Sequence, residues 1–207
     1  MRNHPGQAVE ADEVMAHEAD QGLIRQATLA DVPAMLRLVN DYAAREVMLP
    51  RTEVEMCERI RDFVVAVDRN GDLLGCGALQ FYTPRMAELR SLAVAPSSTR
   101  SGLGLRIARE LLQQAREVGV EVVFAFTYVQ KFFEKAGFQV IDRHELPLKA
   151  WRDCLRCPKF NACDEIAMAV FLTPGAAVHM SAEPPAEPNL SGPLVMPTVG
   201  KPRRLDS

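Results

Sequence analysis

The sequence predicts a single α/β domain in which helices flank a mixed, twisted β-sheet. Strand-like and helix-like apolar segments alternate along the chain, a long amphipathic helix separates two strands, and no internal repeat is present. We expect the folded domain to span residues 22–173. Residues 1–21 lack hydrophobic periodicity and residues 174–207 are rich in proline, so both ends are predicted to be disordered.

The first two helices are predicted from their N-terminal capping residues. Thr28 and Asp31 form a loose capping box, and an apolar face then continues to about Val47. Thr52 occupies a similar capping position before a second, shorter helix over residues 53–61.

The strands are predicted from runs of β-branched and apolar residues, and the turns from glycine and asparagine. Asn70-Gly71 is typical of a hairpin turn. Gly75 and Gly77, in the return strand of that hairpin, indicate a bulge or close packing. The predicted strands cover residues 23–27, 63–67, 73–82, 86–95, 121–127, 138–141 and 165–172, and further helices cover residues 102–119 and 130–136.

Composition and charge exclude several classes of protein. The chain has 24 Lys and Arg against 27 Asp and Glu, so it lacks the basic excess typical of nucleic-acid-binding proteins. No apolar run reaches the roughly 20 residues that span a bilayer, and the polar, acidic residues 1–20 do not form a secretory signal. We therefore expect a cytoplasmic protein that binds neither nucleic acid nor membrane. Whether it forms a homo-oligomer is left open by the sequence.

The segment from Glu88 to Leu105 is the most indicative of chemistry, because it joins a strand, a glycine-containing loop and a helix. Main-chain N–H groups at a helix N-terminus bind anions with the help of the helix dipole. Gly102 and Gly104 would let the backbone approach a phosphate closely, and Arg100 adds positive charge. The loop is neither a Walker loop nor a dinucleotide-binding loop. These residues alone support a phosphate site and an ordinary connection equally.

The same segment resembles the GNAT superfamily of N-acetyltransferases. Its pattern is E-x-x-x-x-A-V followed by R-x-G-x-G-x-x-[IL], and the run from Phe132 to Phe138 is similar to the superfamily's later F-[YF]-x-x-x-G-F signature. One departure is Thr99, where the superfamily usually has Gln or Arg. The resemblance implies a GNAT-like mixed sheet and acetyl-CoA as the co-substrate, with no metal required.

The resemblance also assigns the parts of acetyl-CoA to main-chain groups of this segment. The pantetheine arm would pair, like an extra strand, with Leu92, Ala93 and Val94, and the thioester carbonyl would lie near the Val94 end. The pyrophosphate would lie against the loop and the start of the helix, formed by Arg100, Ser101, Gly102, Leu103, Gly104 and Leu105.

Glu88 and Tyr128 are the candidates for proton transfer. An amine must lose its ammonium proton before it attacks a thioester, and Glu88 stands where similar enzymes often have the general base. Glu88 shares a strand face with Arg90, so an ordinary ion pair is an equal alternative. Similar enzymes often protonate the leaving thiolate with a tyrosine where this chain has Phe133. Tyr128 is the nearest other hydroxyl, and half-buried packing is its alternative role.

Arg90 and Lys131 are the candidates for binding carboxylate groups of a substrate. An arginine can bind a carboxylate through two parallel hydrogen bonds. Ordinary surface charge is the alternative for both residues, and it is favoured for Lys131.

The region after the second signature resembles stand-alone amino-acid N-acetyltransferases, which make N-acetylglutamate from glutamate and acetyl-CoA in arginine biosynthesis. The resemblance lies in residues 146–168 and in Thr127-Tyr128. It implies a small-molecule amino-acid substrate, with glutamate first. The alternatives are another amine, such as a protein N-terminus or a polyamine, and a non-catalytic acetyl-CoA-binding thiol or metal sensor.

Three cysteines, Cys154, Cys157 and Cys163, lie close together in this region. They could hold zinc or an iron–sulfur cluster. A fourth ligand would come from Cys57, Cys76 or His144. Strong metal signals carry a second C-x2-C pair, which this sequence lacks, so reduced thiols are the favoured interpretation.

Overall fold

The computed structural model describes residues 22–99, 101–146 and 163–177, which form one seven-stranded sheet with helices on both faces. The predicted mixed α/β class is confirmed. The strands are β1 (Leu23–Gln26), β2 (Phe63–Val67), β3 (Leu73–Thr83), β4 (Met86–Val94), β5 (Val122–Thr127), β6 (Gln139–Val140) and β7 (Ile166–Phe171). The helices are α1 (Val32–Ala43), α2 (Glu53–Glu58), α3 (Leu103–Glu117) and α4 (Gln130–Lys135). None of these helices combines the length and the apolar character needed to cross a membrane.

The predicted capping box of Thr28 and Asp31 is present, and the predicted cap Thr52 forms one with Glu55, but the first two helices end earlier than predicted. α1 stops at Ala43 rather than near Val47, because Glu46 has a φ of 58° and the main-chain N–H of Val47 turns back to the carbonyl of Tyr42. α2 stops at Glu58 and is followed by a separate 3-10 turn that leads into β2. The ends predicted to be disordered, residues 1–21 and 174–207, lie outside the described residues except for residues 174–177.

The strand order is β1-β2-β3-β4-β5-β7-β6, and β4 and β5 form the parallel pair. α3 makes the crossover between them. Within the described residues, β4 and β5 pair at three positions, and the last of these joins Glu88 to Phe124. Beyond this pair the two strands diverge. We call the space between them the β4–β5 cleft.

The two faces of the sheet carry different helices. α3 and α4 cover one face, where α3 contributes the buried Ile107 and Leu111 to a core that includes Phe133. α1 and α2 cover the other face, where Met35 and Met56 pack against β2 and β3. Each large apolar side chain that is fully buried contributes about 1.5–3 kcal/mol. We call the face covered by α3 and α4 the α3 face, and the face covered by α1 and α2 the α1 face.

A β-bulge interrupts β4 on its β3 side. Cys76 pairs with Ala93 and Ala78 pairs with Arg90, so the single residue Gly77 lies opposite both Ser91 and Leu92. Ser91 has a φ of 52°, in the left-handed region that favours glycine. The bulge shifts the alternation of side chains, and Leu92 therefore packs on the α3 face while Ala93 packs on the α1 face.

Gly75 and Gly77 are required by close packing, as predicted. A Cβ at Gly77 would lie 3.0 Å from side-chain atoms of Ile107 and Leu111, and one at Gly75 would lie 2.9 Å from the main-chain oxygen of Ala93. Side-chain ends can move aside more easily than a strand backbone can. The two glycines therefore tolerate substitution to different extents.

We predict that Gly75→Ala destabilises the domain more than Gly77→Ala does. Overpacking of this kind costs about 1–3 kcal/mol, and we expect Gly77→Ala near the low end and Gly75→Ala near the high end of that range. Urea denaturation of the two variants and the unchanged protein measures the difference directly. Equal losses, or a larger loss for Gly77→Ala, would contradict the packing described here.

Candidate active site

The β4–β5 cleft exposes main-chain groups of β4 that no neighbouring strand uses in the described structure. The main-chain N–H of Ala95 donates to the carbonyl of Leu74 on β3 at 2.7 Å. Because a trans peptide directs its N–H and C=O groups to opposite sides, the carbonyl of Val94 points away from β3 and toward the cleft. An extended ligand can therefore hydrogen-bond to this edge of β4 as an additional strand would.

The predicted phosphate loop lies at the end of this edge. Gly102, with a φ of 83°, forms the N-cap of α3, a conformation that glycine adopts without a steric cost. The Oγ of Ser101 donates to the carbonyl of Ser98 at 2.7 Å and accepts from the N–H of Leu103 at 3.3 Å. The positive end of the α3 dipole lies at this loop, and a helix N-terminus of this kind can bind an anion. Arg100 lies outside the described residues.

Gly104 brings the start of α3 against both β4 and α4. A Cβ at Gly104 would lie 3.3 Å from the ring of Phe132 and 3.4 Å from the side chain of Val94. The phosphate loop therefore adjoins the Val94 end of β4. A co-substrate whose pyrophosphate lies at this loop would extend its pantetheine arm toward Glu88. On that arrangement the thioester would lie nearer Glu88 than the Val94 end, where the resemblance to the GNAT superfamily implied it.

Four polar side chains form a hydrogen-bonded cluster on the α1 face, where β4 and β5 separate. The hydroxyl of Tyr82 donates to Glu88 at 2.8 Å, and a guanidinium nitrogen of Arg90 lies 3.4 Å from the same carboxylate oxygen. Arg90 also donates to the amide oxygen of Gln80 at 2.7 Å. The side chains of Glu88 and Arg90 are each 10% exposed. The ion pair that the sequence offered as the alternative role of Glu88 is therefore present.

A small pocket adjoins this cluster and lies between the sheet and α2. Its lining is rich in charge and includes three arginines. The residues are Arg51, Glu55, Met56, Arg59, Asp62, Phe63, Ala78, Gln80, Arg90 and Ser91. Asn40 fixes the main chain of Arg51, because its side-chain amide accepts from the N–H at 2.9 Å and donates to the carbonyl at 3.0 Å. Burial raises the pKa of the Asp62 carboxyl, and Arg59 at 3.9 Å opposes that shift.

Tyr128 directly follows β5 and Lys131 lies on α4, and neither is among the residues described as lining the pocket. Burial is the main cause that raises the pKa of the Tyr128 phenol well above its usual range. A hydrogen bond with Asp164 and the charge of Glu165 raise it further, so the phenol stays protonated. Asp164 and Glu165, which interact with Tyr128, lie just before β7. Lys131 is exposed on α4 and is not among the residues described as lining the pocket.

The sequence interpretation missed Gln80, Tyr82 and Arg51. Gln80 pairs with Glu88 across the β3–β4 hairpin, and Ala78 pairs with Arg90. Side chains alternate between the two faces of a strand, so the register of β3 against β4 is enough to place Gln80 and Tyr82 on the same face as Glu88. The sequence interpretation did not assign that register. The local sequence does not identify Arg51 as a pocket residue, because its position depends on Asn40 in α1.

The cysteines do not form a metal site within the described ranges. Among residues 22–99, 101–146 and 163–177, no group of three or more His, Cys, Asp or Glu side chains could hold a metal ion. Cys57 is exposed, whereas Cys76 is fully buried, and burial raises the pKa of its thiol to about 12. Cys154 and Cys157 lie outside the described residues, so the predicted cysteine group stays an untested prediction.

The sequence of this chain is similar to those of known acetyltransferases. An uncharacterized N-acetyltransferase of Chlorobaculum tepidum is 43% identical over 145 residues, which cover 70% of this chain and 93% of the relative. An amino-acid acetyltransferase of Mycobacterium tuberculosis is 37% identical over 122 residues, which cover 58% of this chain and 70% of the relative.

Two solved structures with bound ligands share the fold. Rv2747 from Mycobacterium tuberculosis, in complex with CoA and NLQ, aligns with a TM-score of 0.64 and 30% identity, over 73% of this chain and 99% of its own. The N-acetylglutamate synthase of Neisseria gonorrhoeae, complexed with coenzyme A and N-acetyl-glutamate, aligns with a TM-score of 0.67 and 26% identity. That match covers 73% of this chain and 35% of the synthase.

The family model matches residues 33–138, which include the β4 edge, the bulge, the phosphate loop and the polar cluster. With the Chlorobaculum relative aligned over nearly its whole length, this match places the chain in the acetyltransferase (GNAT) family.

Proposed function

We propose that this protein transfers the acetyl group of acetyl-CoA to the α-amino group of an amino acid, and that the acceptor is glutamate, as in arginine biosynthesis. One observation carries the proposal: a pocket lined by Arg51, Arg59 and Arg90 adjoins Glu88 at the point where β4 and β5 separate. A cytoplasmic location, expected from the sequence, remains part of the proposal.

Acetyl-CoA as the co-substrate is supported by the shape of the cleft and by the two similar structures that contain coenzyme A. The edge of β4 at Leu92, Ala93 and Val94 would pair with the pantetheine arm. The pyrophosphate would lie against residues 100–105, where first-turn amides of α3 offer hydrogen bonds to an anion. This arrangement uses main-chain groups, so Thr99 in place of a longer polar side chain does not prevent it.

Glutamate as the acceptor is supported by the charge of the pocket. Its three arginines outnumber Glu55 and Asp62 by one, and guanidinium groups bind carboxylates well, so a substrate that carries carboxylates suits this lining. Arg90 is the candidate nearest the reacting centre, since it contacts Glu88 directly. The resemblance to amino-acid acetyltransferases and to a synthase crystallised with N-acetyl-glutamate points to the same class of acceptor. Lys131, exposed on α4, is the weaker candidate for this role.

The chemistry then follows as direct attack. Glu88, directly or through a water molecule, takes a proton from the ammonium group of the acceptor. The amine nitrogen forms a bond with the thioester carbonyl carbon, and unused N–H groups of β4 are suited to stabilise the negative charge that develops on oxygen. The carbon–sulfur bond then breaks, the nitrogen loses its remaining extra proton to solvent, and the departing thiolate takes a proton from Tyr128 or from solvent.

Release of free CoA thiol with a panel of amines tests the proposal. We expect acetyl-CoA turnover that depends on glutamate, with aspartate and glutamine as poorer acceptors because each changes the length or the charge of the second carboxylate arm. Turnover only with a protein N-terminus or a polyamine would refute glutamate as the acceptor. Binding of acetyl-CoA without turnover of any amine would refute the enzymatic role and favour a sensor.

We predict that Glu88→Gln lowers kcat by about 100-fold near pH 7 and by much less near pH 10, where solvent deprotonates the amine without help. Glu117→Gln, on the exposed end of α3, is the matched control and should keep the unchanged rate. A pH–rate profile of both variants with glutamate measures the effect. An unchanged rate for Glu88→Gln would remove this carboxylate from the mechanism.

A further inference from the structure

Tyr42 makes a long-range contact with the cleft that the proposed mechanism does not use. Its hydroxyl, in the last turn of α1, donates to the carbonyl of Val94 at 2.7 Å. The two residues are 52 positions apart in the sequence. The contact therefore joins the helix that covers the α1 face to the end of the strand beside the phosphate loop.

The direction of the Val94 carbonyl places the Tyr42 hydroxyl in the β4–β5 cleft. The N–H of the same peptide unit, that of Ala95, donates to Leu74 on β3. The carbonyl must therefore point to the opposite side, where β4 has no strand partner beyond Glu88 among the described residues. A hydroxyl 2.7 Å from that oxygen lies along the same edge that an extended pantetheine arm would follow.

The chemistry of the phenol suits a contact with an amide. A tyrosine hydroxyl has one hydrogen to donate and lone pairs with which to accept, and a carbonyl oxygen accepts two hydrogen bonds. While Tyr42 donates to Val94, its own oxygen can still accept from an N–H group. The pantetheine arm carries amide N–H groups, whereas the adenosine and phosphate parts of coenzyme A reach the loop at the other side of Val94.

The Tyr42 ring is held in place from two sides. Its edge packs with the core under α1, and the guanidinium carbon of Arg45 lies 5.7 Å from the centre of the ring. An arginine over an aromatic face is attracted by the ring's electrons and restricts its motion. The hydroxyl is therefore in position before a ligand arrives, which lowers the entropy cost of binding.

We propose that Tyr42 is a further acetyl-CoA-binding residue, which holds the Val94 carbonyl and accepts a hydrogen bond from an amide of the pantetheine arm. This inference rests on the proposed function only in that acetyl-CoA occupies the β4–β5 cleft. It assigns Tyr42 to binding of the co-substrate and not to proton transfer.

Calorimetric titration of Tyr42→Phe with two ligands tests the proposal. Coenzyme A carries the pantetheine arm, and adenosine 3′,5′-bisphosphate lacks it. We expect Tyr42→Phe to weaken coenzyme A by about 3- to 10-fold in Kd, as for the loss of one or two hydrogen bonds. We expect the Kd for adenosine 3′,5′-bisphosphate to stay within about 2-fold, because the phosphate loop itself is unchanged.

Tyr82→Phe is the matched control, since it removes a tyrosine hydroxyl that donates to Glu88 instead. It should keep the Kd for coenzyme A and alter kcat. An unchanged or tighter Kd of Tyr42→Phe for coenzyme A would overturn the inference, as would equal weakening of both ligands, which would indicate a distorted loop. Failure of the unsubstituted protein to bind coenzyme A would instead overturn the proposed function. Thermal unfolding of each variant establishes that it is folded during the titration.

Discussion

The β-bulge at Ser91 and Leu92 is the constraint on which the rest of the site depends. One residue of β3, Gly77, faces both of them. A bulge adds twist and bends the strand that contains it, and β4 separates from β5 after Glu88, just before the bulge. The left-handed conformation of Ser91 costs about 1–2 kcal/mol for a residue other than glycine. The thiol of Cys76 lies 3.8 Å from the Ser91 carbonyl, within the range of a weak hydrogen bond that supports this conformation.

The same short stretch of β3 also positions the phosphate loop. Gly75 and Gly77 lack side chains on the α3 face, which lets Ile107 and Leu111 of α3 approach the sheet closely. The start of α3 is then drawn against the end of β4, where Gly104 meets Val94 and Phe132. The position of the predicted phosphate loop and the opening of the cleft thus depend on one packing arrangement, although they involve different residues. A change in either glycine would disturb both.

Local rules predicted most of the fold, because capping boxes, hairpin turns and apolar periodicity each act over a few residues. They also predicted the Glu88–Arg90 pair, whose residues precede the bulge. They could not predict where the bulge shifts the alternation of side chains along β4. Strict alternation would place Leu92 on the same face as Arg90, but in the structure Leu92 lies on the α3 face. Gln80 and Tyr82 required the hairpin register, and Tyr42 and Arg51 required the packing of α1. The missed residues are thus those positioned by tertiary contacts.

The placement of charge explains why the polar cluster can exist inside the sheet. Glu88 and Arg90 lie between two apolar regions of the α1 face, one formed around Met35 and Met56 and the other around Phe124. A buried ion pair repays its loss of hydration only with good geometry and additional hydrogen bonds, and here Tyr82 and Gln80 supply them. The arrangement holds a carboxylate at the end of the β4–β5 pairing and turns an arginine toward the pocket. Under the proposed function, a carboxylate of the acceptor would meet the arginines of the pocket while its amine faced Glu88.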